Sequence, residues 1–225
     1  AQGIILLTGC RAVSQPMVRL PSRHSVESDR FTTFSDAYLD RDHWQIRDLV
    51  RLERQVVESL ELPEPKREVI VHVFSNRREY LDFLEATYPQ LPSRRAYFFA
   101  TPERLTVYTF WGDRIQEDLR HEFTHGLLHS CLGDVPLWID EGLAEYFEVV
   151  GPLPGGINVE YADRLSAASV HGWRPDLERL EAIDEVAGMQ RVDYEQAWAW
   201  IHFMLHGPAG TRRELLDYLD DLRTN

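Results

Sequence analysis

The chain has 225 residues, 44 % of them apolar, and a formal net charge of −13. The length suits one domain, and the apolar share is enough for a real core. The acid excess is spread along the chain as a solvated surface; it excludes charge-driven binding to nucleic acid or an anionic membrane surface, and no internal apolar run reaches the roughly 20 residues that span a bilayer.

The chain opens AQGIILLTGCRAVSQP, a short apolar tail followed by a polar, proline-containing stretch. That order marks a targeting remnant rather than a first strand. Leu7-Thr8-Gly9-Cys10 resembles the end of a bacterial lipoprotein signal peptide. The resemblance implies cleavage before Cys10, acylation of Cys10, and a lipid-anchored protein of the bacterial cell envelope facing the periplasm or the exterior. The expected division is a signal remnant over 1–9, the lipidated cysteine and a tether over 10–30, and one folded domain over 31–225. The second of the two cysteines, Cys131, is then left unpaired and reads as a packed thiol.

Apolar residues recur at helical spacing from about 36 to 60, and LPEPK ends that helix. The β-branched run EVIVHVFS at 68–75 predicts a strand. NRREYLDFLEATYP predicts a helix that stops before Pro89. RAYFFAT near Tyr97 and the run at 105–110 predict two strands of a hairpin around TPER. Asp113 can cap a helix running to about 132, Gly133 ends it, and Pro136 opens another over about 137–149. Beyond a GPLPGG loop the remainder reads as helices near 158–170, 176–187, 193–206 and 211–223. Strands first and helices afterwards predict an α+β fold with helices on one side of a small sheet.

The chemistry concentrates in DLRHEFTHGLLHSCLGDVPLWIDEGLAEYFE. His121 and His125 stand four apart, on one helix face about 6 Å apart, which lets both imidazoles reach one zinc ion at about 2.0–2.1 Å. Glu122 is rotated by about 100° and can reach a water beside such an ion without ligating it. A catalytic zinc keeps three protein ligands and one open position. His129 is excluded as the third, because it stands about 12 Å along the axis from His121. The next helix offers Glu141 and Glu145 on one face. Glu141, nearer the turn, is the expected ligand, with Glu145 next in line. Glu145 otherwise accepts the free N–H of a ligand histidine and fixes its tautomer.

His121-Glu122-x-x-His125 followed by WIDEGLAEYF resembles the gluzincin metallopeptidases. The resemblance implies a zincin-like fold: a small mixed β-sheet followed by a mainly helical part that carries the HExxH helix. It implies Zn2+ held by His121, His125 and Glu141, the glutamate of Asp140-Glu141-Gly142, with Glu145 supporting a histidine. Fifteen residues separate His125 from Glu141, a tight connection. VDYEQAWAWIHFMLHGPAGTRRELLDYL resembles the segment after the zinc site of aminopeptidase N-type members and implies that Tyr194 stabilises the oxyanion. The stretch that binds a free amino terminus in those enzymes has no counterpart here. The expected activity is hydrolysis of peptide or protein substrates through a metal-activated water, endopeptidase-like, with Glu122 as general base and then acid. Two alternatives are an aminopeptidase of the same clan and a non-catalytic envelope lipoprotein whose zinc site serves structure or partner binding. A strand at 105–110 with a free edge could pair with an extended peptide. His202 and His206 read as core-edge histidines, and Trp198 and Trp200 as packing.

Overall fold

The computed structural model describes residues 19–151 and 156–224. Residues 1–18, including Cys10 and the expected signal remnant at 1–9, lie outside the described residues. Five strands form one mixed sheet: β1 (His24–Glu27), β2 (Phe31–Ser35), β3 (Val69–Phe74), β4 (Tyr97–Ala100) and β5 (Leu105–Phe110), in the order β1-β2-β3-β5-β4. β2, β3 and β5 run parallel, and the two edge strands pair antiparallel. The helices are α1 (Trp44–Leu60), α2 (Arg77–Thr87), α3 (Ile115–Cys131), α4 (Leu137–Glu148), α5 (Val159–Val170), α6 (Leu177–Glu181), α7 (Arg191–His206) and α8 (Thr211–Thr224). The α+β class therefore holds.

Alternation along β3 and β5 fixes which face each residue serves. Val69, Val71, Val73, Leu105 and Val107 join the main core with Leu49, Leu52 and Val56 of α1 and Leu119, Phe123 and Leu127 of α3. Each such side chain contributes about 1.5–3 kcal/mol on leaving water. The intervening residues Phe74, Tyr108 and Phe110 pack on the other face against Tyr80, Phe83 and Leu84 of α2. The helices thus lie on both faces of the sheet, not on one. Both faces need cover because the inner strands are parallel and bury side chains on both sides. α4 stacks on α3, α7 on α4, and α8 on α7, which extends the core away from the sheet.

The structure corrects several boundaries. His24–Glu27, inside the expected tether, is already a sheet strand, and its Val26 packs with Leu39 and Ile46. The first helix begins at Trp44 rather than 36. Residues 40–43 form a turn in which Asp40 Oδ1 accepts the Asp42 N–H at 3.0 Å, and the His43 ring accepts the Gln45 N–H at 3.3 Å. Leu39 fits the helical spacing but packs as part of that approach. α3 begins at Ile115, and its cap position is Arg114 rather than Asp113, with no side-chain capping bond. β5 is an interior strand, so the free edge expected of it belongs to β4. Gly133 does end the α3 segment, with φ +88°. Cys131 is fully buried; its thiol donates to the Pro63 carbonyl at 3.4 Å.

Candidate metal centre

α3 and α4 form a tight pair across the Gly133–Pro136 turn, and their facing sides carry the cluster. His121 Nε2 and His125 Nε2 lie 3.2 Å apart. Glu141 Oε2 lies 3.5 Å from the first and 3.8 Å from the second. The two histidines and Glu141 form a group whose donor atoms all lie within 4.8 Å of one another. Two donors on one tetrahedral zinc, each at about 2.05 Å, stand about 3.3 Å apart, so the donor set and its spacing fit that ion.

A carboxylate faces the far nitrogen of each ring. Glu148 Oε2 lies 3.1 Å from His121 Nδ1. Asp140 Oδ1 lies 2.9 Å from His125 Nδ1, off the line of a straight hydrogen bond, so charge attraction carries the contact. Burial alone would lower both imidazole pKa values. Glu141 and Glu148 outweigh it at His121, which is raised well above the ordinary range, and Asp140 outweighs it at His125, which rises to about 9. Burial pushes Glu141 up, but His121 and His125 hold its carboxyl below the usual range. Two imidazoles driven toward protonation with their Nε2 atoms at 3.2 Å repel each other; a dication between them removes that conflict.

The expected support from Glu145 is not the hydrogen bond found. Glu145 Oε2 accepts from the Tyr161 hydroxyl at 2.7 Å, though its carboxylate stays within 4.8 Å of His121 and Glu148 donor atoms. Glu148, one turn further, faces the histidine instead. His129, expected to be an ordinary helix residue, places Nε2 3.1 Å from Asp140 Oδ2. It therefore holds the acid that faces His125. Only the crossing of α3 and α4 brings these pairs together.

Among known families and curated proteins, no family model and no curated sequence matches the chain.

Glu122 lines a cleft of about 520 Å3 with His121, His125 and Glu141. Burial raises its carboxyl above the ordinary value, partly offset by the two histidines. Tyr194 sits in the first turn of α7, half-buried, and burial together with the Glu141 charge raises its hydroxyl. Its neighbours fix that turn: Asp193 is fully buried, ion-paired to Arg179 and bonded to the Gln190 N–H at 2.8 Å, and Glu195 pairs with Arg164 and Arg191. Gly142 explains how α7 comes so close. A Cβ there would meet the Ala197 carbonyl oxygen and Ile201 Cγ1 at 2.8 Å each.

A residue missed in the sequence is Arg120, 2 % exposed. Its Nε donates to the Phe147 carbonyl at 2.9 Å, and its other nitrogens reach Asp48 at 3.4 Å and Gln55 at 3.3 Å. It ties the histidine helix to α4 and α1. An arginine inside an apolar-patterned helix is the only signal that marks it. His202 and His206 lie outside the cluster, and His206 Nε2 is 2.7 Å from the Tyr146 hydroxyl.

Proposed function

We propose that this chain is a zinc-dependent peptidase of zincin-like fold, acting as an endopeptidase. One observation carries the reading: the His121 and His125 Nε2 atoms converge at 3.2 Å, with Glu141 as a third donor. The mixed sheet ahead of the HExxH helix, and the free edge of β4 beside the same cleft, support the fold assignment. A bound Zn2+ would supply Lewis acidity and an acidified water at neutral pH.

The chain's own groups account for the rest. Glu122, in the cleft wall and raised by burial, accepts a proton from water and returns it to the leaving amine. Tyr194 donates its hydroxyl to the developing oxyanion. β4 offers backbone N–H and C=O groups to an extended substrate. A purely structural zinc site needs no acid in the position of Glu122, which favours catalysis over the binding-only reading. The bacterial-envelope location and the lipid anchor rest on Leu7-Thr8-Gly9-Cys10. No helix among the described residues is long and apolar enough to cross a membrane.

Metal analysis beside turnover of peptides blocked at both ends tests the reading. Wild type should hold one zinc and cut blocked peptides, Glu141→Ala should lose the metal, and Glu122→Gln should keep it while losing about 100- to 10,000-fold in rate. Normal cleavage by Glu122→Gln would show the mechanism to be wrong.

A further inference from the structure

The cleft carries a cation that the proposed hydrolysis does not use. Arg94 lies in the segment between α2 and β4 and lines the same cleft as Glu122. Its side chain is exposed, with the guanidinium carbon 5.8 Å from the Tyr97 ring centroid. Among the described residues Arg94 forms no ion pair. Its neighbour Arg95 behaves differently, with two nitrogens bonded to Asp118 Oδ1 at 2.9 and 2.6 Å. One arginine of the pair anchors the segment to α3, and the other faces the cleft unspent.

Two of the three carboxylates that line the cleft are engaged with histidines, and the third, Glu122, is the base of the proposed hydrolysis. Asp140 faces His125 and His129, and Glu141 faces His121 and His125. Much of the remaining wall is apolar, with Leu91, Pro92, Phe98 and Leu137. In a chain of net charge −13, an exposed guanidinium beside apolar cleft walls offers an anionic group a local partner.

Resting on the peptidase reading of this cleft, we propose that Arg94 is a specificity-determining residue that binds a carboxylate of the substrate. A planar guanidinium forms paired, charge-assisted bonds to a carboxylate, which an ammonium cannot reproduce. The carboxylate comes either from the substrate's C-terminus or from an aspartate or glutamate side chain near the scissile bond.

Peptides of one length test this in three arms: amidated and neutral, neutral with a free C-terminus, and amidated with one internal glutamate. Binding is measured on the zinc-loaded Glu122→Gln protein with and without Arg94→Ala or Arg94→Lys, and cleavage on the same Arg94 variants in the otherwise wild-type chain. At least one carboxylate arm should bind about 10- to 100-fold tighter than the neutral arm. Arg94→Ala should erase that preference, Arg94→Lys should keep part of it, and cleavage of the neutral peptide should persist in both. Preference for the free terminus or for the internal glutamate identifies the source. Equal binding of all three arms, or equal loss across them in Arg94→Ala, overturns the proposal. A preference that depends on Arg94, with no cleavage by wild type, leaves the carboxylate site standing and removes the peptidase reading instead.

Discussion

Asp140 joins two histidines of α3: one oxygen lies 2.9 Å from His125 Nδ1 and the other 3.1 Å from His129 Nε2. The contact sets the ring of a proposed metal ligand from behind, and His129 in turn sets the acid. Removing such a carboxylate costs about 10- to 100-fold in metal affinity. Asp140→Asn should therefore weaken zinc binding by that factor in a competitive chelator titration, and His129→Ala should do so by a smaller one. Unchanged affinity in Asp140→Asn would separate the acid from the metal centre.

Gly142 follows the proposed third ligand, Glu141, and faces α7 with no room for a methyl group. Its neighbour at 2.8 Å is a backbone carbonyl, which cannot swing aside. Gly142→Ala should push α4 and α7 apart and cost about 1–3 kcal/mol in denaturant unfolding. Because Tyr194 rides on α7, turnover should fall further than zinc content does. An alanine variant with wild-type stability would contradict the tight crossing.

Arg120 and Asp48 are both buried, 2 % and 5 % exposed. Taking away one partner leaves a charge without compensation. Arg120→Met alone should destabilise by about 3–5 kcal/mol, whereas Arg120→Met combined with Asp48→Leu should recover much of the loss. A double-mutant cycle read by urea unfolding checks this. Additive losses would mean that the two side chains act separately.

His72 is stacked between Phe34 and Tyr108 on the sheet face opposite α3, with ring centroids 5.3 and 5.5 Å away. Burial pushes its pKa down to about 4. The unfolded chain, with a pKa near 6.5, binds a proton between these values that the folded chain refuses. Stability should therefore be fully present above about pH 6.5 and decline as pH falls toward 4, by up to about 3 kcal/mol from this group. His72→Phe should flatten that part of the stability–pH curve. An unchanged slope between pH 6.5 and 4 would assign the acid sensitivity elsewhere.

Local rules made much of the molecule legible in the sequence. The β-branched run at 68–75 is β3, the TPER turn joins β4 and β5 as an antiparallel hairpin, and Gly133 and Pro136 bracket the break between α3 and α4. The four-residue spacing of His121 and His125 and the rise that removes His129 as a ligand follow from helix geometry alone. Which acid stands behind which histidine does not follow from spacing. Glu145 and Glu148 both sit on the α4 side, and the crossing angle with α3 decides that Glu148 meets His121 while Glu145 turns to Tyr161. The same holds for His129 with Asp140, for the buried Arg120, and for Arg94, whose unspent charge shows only once Arg95 is seen to bind Asp118. The edge position of β4 is likewise a matter of strand order, which pairs residues far apart in the chain. Periodicity reports what a residue's own helix or strand requires; the partner across the interface is fixed only when packed surfaces meet.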